Sequence, residues 1–531
     1  MTQMLPRLNL DILVNVINVI ENPCQIVRSF MYLNRYFYHE GAKVALQRPI
    51  MLDGLDELEL FLRFVKAEKW TRCRYLRHLC YAVDESDRCG NIYVPLVAKF
   101  ITRCTKLETL RLGSGGALFF DNKVWDACAM LSSLRNLDIY VYSSLCVSEL
   151  LQGLKSTLSN VRLRIEEAHE EFQLDLDDDP TLNRLHPITL FANHRDTLES
   201  LICEQWYGAE LMPTASHVYP KLLRLAIDYV IVRDVARLVR AYPNLRYLRS
   251  STARRHDIVG DEEKRQIRGE NLNSQTGAGR TSWPCLQAFS GGIDELYILG
   301  LPGRIRRIEF QTVRAGCVLE GNALRNEMLE EVLAHAQPEH LRLECNDVLL
   351  GDARSGLIAA LRGAGGESLR SLYVEARLVS EDCDYHQIFT ELATSLHSTR
   401  LAVLDLDVRL GKTDHVLPVN PISSSEDESW SDGERERRKR IHELRRRSPP
   451  PPPSTDAEES TTRIDPDEYL RDLWETMPTL DEAVMRIQNP RRGRHNMGFR
   501  KATVLRGTAR REDWPNEWAT IPSVPNWRWG W

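Results

Sequence analysis

Leu107-Glu108-Thr109-Leu110-Arg111-Leu112 and Leu134-Arg135-Asn136-Leu137-Asp138-Ile139 are two copies of one phrase, an apolar residue followed by apolar residues three and five positions later. The phrase recurs as Leu76/Leu79/Tyr81, Leu158/Val161/Leu163, Leu198/Leu201/Cys203, Leu222/Leu225/Ile227, Ile305/Ile308/Phe310, Leu369/Leu372/Val374 and Leu401/Leu404/Leu406, with weaker copies from Leu245 and Leu286. The last two apolar positions alternate as on a strand and the first turns in just ahead of them, so all three face one side. One short strand cannot bury that side alone. It has to stack beside its neighbours, which is the physical content of a repeat array.

Between copies run helix-period stretches, Leu58, Phe61, Leu62 and Val65, then Val232, Val235, Leu238 and Val239, then Ile388, Leu392 and Leu396. Strand, helix, strand implies parallel pairing, so the expected fold is an α/β, leucine-rich-repeat-like solenoid over residues 49–411; an ordinary α/β domain is the plainer alternative. Copies stand roughly 20 to 40 residues apart, and the Asn or Cys usual three positions after the last Leu is replaced by Gly115, Tyr142 and Trp206. Irregular curvature is expected without that internal ladder, and the insertions Asp175–Pro180 and Ser251–Gly279 are expected to loop outward. The residue between the last two apolar positions points away from the core. Arg111, Asp138, Arg162, Ile202, Arg249, Glu309, Tyr373 and Asp405 are therefore the candidate substrate-binding row.

Composition sets the class of partner. The chain has 531 residues, 43% hydrophobic and 27% charged, ordinary values for a folded protein too long for one compact core. A net charge of -6 supplies no global field toward nucleic acid or anionic lipid, so neither is expected as a partner. No signal peptide is read in the first residues and no apolar run of about 18 residues occurs, so no membrane association is expected. Twelve cysteines stand singly without a Cys-x-x-Cys pair, which suits a reducing compartment, cytoplasmic or nuclear.

Residues 1–48 lack the phrase. Leu5-Pro6 opens an apolar helical run through Ile12, Leu13, Val16, Ile17 and Ile20, and a second run passes through Ile26, Val27, Phe30, Leu33 and Phe37 after a break at Asn22-Pro23. This helical hairpin, ending in Leu33-Asn34-Arg35-Tyr36-Phe37, resembles an F-box. With Pro49-Ile50-Met51-Leu52 and Leu58-Glu59-Leu60-Phe61 behind it, the chain to about residue 410 is similar to fungal F-box proteins with irregular leucine-rich repeats. That resemblance implies the substrate-recognition subunit of an SCF-type, cullin-RING ubiquitin ligase. In that family the helices bind a Skp-type adaptor, here through Leu5, Pro6, Ile12, Leu13, Ile17, Leu33 and Phe37, and the repeats hold a protein substrate. The alternative is a stand-alone repeat scaffold whose first helices merely cap the array.

Beyond residue 411 the composition shifts to Ser423–Glu428, the basic run Glu434–Arg447 and the proline run Pro449–Pro453. A disordered tail over 412–531 is expected, dispensable for folding, with either an import signal or a merely solvated charge run at Arg437–Arg440 and a tryptophan-rich end, Trp514 to Trp531, that docks on the array or a partner.

Catalytic patterns are sparse. Gly113–Gly116 and Gly363–Gly366 lack the Gly-Lys-Ser/Thr of a phosphate loop, Cys383, Asp384 and His386 lack a second ligand pair, and His194 with Asp196 fits loop surface equally well. No enzyme, metal or cofactor is expected.

Overall fold

The computed structural model describes residues 29, 31–32, 35–82, 90–113, 121–141, 144–165, 186–204, 217–228, 232–251, 260–276, 282–310, 323–378, 380, 383–410, 463–488 and 500–505. The chain divides into two compact units, one on residues up to Gln287 with Ile298–Gly300, the other on Ala288–Tyr297 and Leu301–Arg511. No helix among the described residues is long and apolar enough to cross a membrane.

In the first unit β1 (Pro49–Asp53), β2 (His78–Ala82), β3 (Thr109–Leu112), β4 (Asn136–Val141), β5 (Asn160–Ile165), β6 (Ser200–Glu204), β7 (Arg224–Asp228) and β8 (Tyr247–Ser251) pair in sequence order, each parallel to the next. Helix α1 (Arg35–Gln47) precedes them, α2 (Gly54–Lys66), α3 (Val94–Arg103), α4 (Asn122–Ala129), α5 (Ser144–Gly153), α6 (Pro187–Leu190) and α7 (Val235–Ala241) lie between them in sequence, and α8 (Asp261–Thr276) follows, with α3 on α4 and α4 on α5. α2 shows why such a segment is helical. Leu58, Phe61, Leu62 and Val65 share its buried face, while Asp56 and Glu57 in the first turn and Arg63 and Lys66 in the last complement the helix dipole.

Register follows the phrase. Leu79, Leu110, Leu137, Val161, Leu201, Leu225 and Leu248 are successive Cα partners, and all are buried. The leading Leu of each copy, from Leu76 to Leu245, is also buried. Each apolar position thus forms its own row through the sheet, and the core lies between sheet and helices.

The second unit repeats the scheme. It contains β9 (Ala288–Gly291), β10 (Arg307–Phe310), β11 (His340–Asn346), β12 (Ser371–Leu378), β13 (Val403–Leu410) and β14 (Glu482–Gln488), parallel in sequence order, then β15 (Arg500–Leu505) antiparallel on β14. After α9 (Ile293–Leu299) come α10 (Ala323–Ala336), α11 (Asp347–Leu350), α12 (Gly356–Arg362), α13 (Tyr385–Leu396) and α14 (Pro466–Thr476). α10 packs on α12 and α12 on α13, while α14 packs on β14 and β15. Phe289, Ile308, Leu341, Leu372, Leu404 and Ala483 form the matching row. This architecture is α/β with mostly parallel strands in sequence order, compatible with a repeat array.

A backbone ladder links successive strands where each of them opens, one residue after the leading apolar position. Arg135 N and Asn136 N both donate to Glu108 O at 2.9 and 3.0 Å, Ser159 N and Asn160 N to Arg135 O at 2.8 and 3.1 Å, and Glu199 N and Ser200 N to Ser159 O at 2.8 and 3.1 Å. The second unit has the same device, with Arg370 N and Ser371 N on Glu339 O and with Ala402 N and Val403 N on Arg370 O. One carbonyl per repeat thus satisfies two donors of the next. A short side-chain ladder runs beside it, Asn160 Nδ2 to Asn136 Oδ1 at 2.8 Å and Asn136 Nδ2 to Thr109 Oγ1 at 3.0 Å.

Two expectations need correction. The stretch Ser251–Gly279 does not simply loop outward, because 261–276 form α8, whose anchoring face is polar. Asn271 Nδ2 donates to Val232 O at 3.0 Å and Ile298 O at 2.9 Å, and its Oδ1 accepts from Val235 N at 3.1 Å. Gln275 Nε2 donates to Leu299 O and Gly300 O, both at 3.0 Å. Side-chain amides matched to free backbone groups hold this helix, and a search for apolar periodicity passes over them.

The second correction concerns the tail. Residues 463–488 and 500–505 are not a disordered continuation but one further helix and two strands. Ile464, Leu470, Leu473, Met477, Leu480, Ala483, Met485 and Ile487 are buried, and Asp481 N and Glu482 N donate to Ala402 O at 2.8 and 3.0 Å, the same carbonyl device as between earlier repeats. The parallel strand series therefore does not end at 411. The phrase is present as Leu480/Ala483/Met485, disguised by an alanine at its second position. The segments 175–180, 423–428, 434–447, 449–453 and 514–531 lie outside the described residues.

Candidate functional site: the side-chain rows between the apolar positions

The sheet brings the in-between residues into rows. In the first unit Cys80, Arg111, Asp138, Arg162, Ile202, Ala226 and Arg249 are successive partners; in the second, Ser290, Glu309, Arg342, Tyr373, Asp405 and Val484. All eight residues expected in the row thus occupy it, within their own units. Their exposure differs. Arg111 is exposed and Arg162, Arg249, Glu309 and Tyr373 are half-buried, whereas Asp138, Ile202 and Asp405 are buried.

Opposite charges answer one another along and beside the rows. Arg111 Nε lies 3.1 Å from Asp138 Oδ2. Glu204, one pleat further along β6, receives Arg162 Nη2 on Oε1 at 2.7 Å and Arg164 Nη2 on Oε2 at 2.5 Å, and Arg164 also stands over the Tyr140 ring at 5.5 Å. Burial alone pushes the Glu204 carboxyl up, but the two guanidiniums overcome it and hold the group below the usual glutamate range. At Asp138 the balance reverses. Burial lifts its carboxyl above the usual range despite Arg111 and Arg162.

In the second unit Arg342 pairs with Glu309 at 3.3 Å and Arg486 with Asp405 at 2.6 Å. Tyr373 lies between Arg342 and Asp405 in register, one aromatic ring flanked by two ion pairs. Glu375, Arg377, Asp407 and Arg409 extend this lattice one and two pleats on, with Arg409 Nη1 3.0 Å from Glu375 Oε1. Arg342, Arg164, Glu204 and Arg486 were not among the sequence candidates. The copy containing Arg342 is disguised because Pro338 stands where its first Leu would be.

Of the adaptor-binding candidates, Leu5, Pro6, Ile12, Leu13, Ile17 and Leu33 lie outside the described residues. Phe37 is in α1 and 4% exposed. α1 packs on the 3-10 turn Thr71–Tyr75.

The chemical candidates resolve into structural roles. Asp384 caps α13, accepting from His386 N and Gln387 N. Burial, with Asp347 and Asp384 nearby, pushes the Cys383 thiol up, the opposite of an activated nucleophile. His194 is buried while Asp196 is exposed beside Arg195, so they form no dyad. Gly366 closes the turn after α12, where an added Cβ would lie 2.0 Å from Leu361 O; Ser114 to Gly116 are outside the described residues. Among the described residues no three His, Cys, Asp or Glu side chains are grouped to hold a metal ion. No protein-family model matches the chain, and no curated protein matches it.

Proposed function

We propose that the protein is the substrate-recognition subunit of an SCF-type, cullin-RING ubiquitin ligase, taking a Skp-type adaptor on its N-terminal helices and a protein substrate on its leucine-rich-repeat-like array. One observation carries the recognition half: the in-between rows form a fixed, largely self-paired lattice of charge with Tyr373 set between two ion pairs. A rigid aromatic ringed by polar groups suits the centre of a protein contact. The adaptor half rests on the F-box-like pattern from Leu5 to Phe37. Co-purification with a Skp adaptor tests it, and Leu5→Ala with Pro6→Ala is expected to abolish retrieval while the array stays folded. An unaltered chain that retrieves no adaptor overturns the ligase reading.

The second reading, a stand-alone scaffold, is favoured by the placement of Phe37. Buried in a helix packed on the first repeat, it serves as a cap that shields the apolar edge of an array. Substrate capture without adaptor retrieval is the result that this reading expects.

A further inference from the structure

We propose that the cleft between α1 and the 3-10 turn Thr71–Tyr75 binds a phosphate-class anion. The cleft measures about 210 Å³, room for a phosphate group. Lys43, Arg72 and Arg74 line it against one carboxylate, Glu68, with His39 and Thr71 adding polar groups.

The carboxylate is already committed. Glu68 Oε1 receives Arg72 Nη2 at 2.8 Å and His39 Nδ1 at 2.7 Å. Arg72 is 1% exposed, its guanidinium 4.6 Å from the Tyr38 ring centre and 4.3 Å from that of Phe64, and its Nη1 donates to Phe64 O at 3.0 Å. Its Nε has no hydrogen-bond partner among the described residues. Arg72 and Glu68 therefore form the rigid floor.

Arg74, which is exposed, and Lys43, which is half-exposed, are the cations that reach the mouth of the cleft. They stand over one ring, Lys43 Nζ 5.7 Å and the Arg74 guanidinium 4.8 Å from the centre of Tyr75, and Arg74 Nη2 donates to the Tyr75 hydroxyl at 2.5 Å. Glu40 pairs with Lys43 at 2.5 Å, and among the described residues no acid forms an ion pair with Arg74. Two like charges around one ring repel each other, and an oxyanion between them reverses the sign of that interaction and accepts charge-assisted hydrogen bonds from both. Three cations against one lining carboxylate suit a compact anion, and a phosphate group offers oxygens enough to engage Lys43 and Arg74 together.

Anion binding needs no adaptor to be read out, so it is tested on the full chain alone. Inorganic phosphate and O-phospho-L-serine are titrated calorimetrically at constant ionic strength, with chloride as the control. Saturable binding is expected, weakened at least tenfold in a Lys43→Ala/Arg74→Ala variant and retained in Arg240→Ala, an exposed position of α7. Should the alanine variant have a lowered melting midpoint, Lys43→Gln/Arg74→Gln replaces it. Equal affinity for both probes assigns a site for the free anion, and tighter phosphoserine binding assigns one for an ester-borne phosphate. No saturable binding of either probe, or undiminished binding by the folded double variant, overturns the proposal.

Discussion

Arg486 in β14 grips Asp405 in β13 with both arms, Nη1 to Oδ1 at 2.6 Å and Nη2 to Oδ2 at 3.3 Å, across 81 positions of sequence. A two-pronged guanidinium–carboxylate contact fixes geometry as well as charge. With the backbone bonds from Asp481 and Glu482 to Ala402, it makes 463–488 structural kin of the preceding repeats. Truncation after Leu410 is therefore expected to lower the melting midpoint and promote aggregation, because it uncovers the edge of β13 and Phe389 of α13, against whose ring Tyr469 of α14 packs. An unchanged midpoint by calorimetry refutes this.

The same pair supports a double-mutant cycle. Arg486→Ala and Asp405→Ala measured singly and together in urea are expected to show a coupling of about 0.5–3 kcal/mol. Coupling near zero means that the pair contributes only its separate packing.

Glu204 supplies a pH signature. Its folded carboxyl lies below the ordinary value of about 4.3, so its stabilisation is present above that value and is lost as pH falls through the depressed one. Glu204→Gln is expected to cost about 1–3 kcal/mol at pH 7, given the partial exposure of Arg162 and Arg164. The gap to the unaltered chain narrows below about pH 4. Asp138 has the opposite sign: its carboxyl is raised, so its ionisation disfavours the fold as pH rises from about 3.9 through the folded value. Denaturation midpoints between pH 3 and 7 separate the two, and a Glu204→Gln gap that does not vary with pH contradicts the assignment.

α8 is expected to depend on one amide. Asn271→Ala strands the Val235 N–H and the Val232 and Ile298 carbonyls, each a buried group whose lost partner costs about 1–3 kcal/mol. Hydrogen exchange that accelerates in 261–276 and at Val235 is the readout. Unchanged protection there removes Asn271 from its anchoring role.

Leu404 and Tyr373 separate fold from recognition. Leu404 is wholly buried in the core row, so Leu404→Ala is expected to destabilise by about 2–5 kcal/mol. Tyr373→Ala is expected to cost less stability than Leu404→Ala and to weaken partner capture. Capture that survives Tyr373→Ala moves the contact elsewhere.

The sequence by itself determined the order and register of the strands. An apolar residue with others three and five positions on has one way to bury all three, and stacking copies in sequence order is the shortest connection that does so; hence Leu110, Leu137 and Val161 became partners as the phrase requires. Short-range chemistry was equally legible at α2, α7 and α13, where apolar spacing marks the helices. Only the tertiary structure decided which in-between side chains neutralise one another, because Arg162 meets Glu204 through strand pairing and not through any spacing in the chain. It also decided the place of segments whose anchors are polar or small. Asn271 and Gln275 hold α8 by hydrogen bonds to backbone groups distant in sequence, and Ala483 fills a core position where a leucine was sought. Apolar period measures what a segment must hide from water, whereas a buried amide or an alanine earns its place only from the neighbours that surround it.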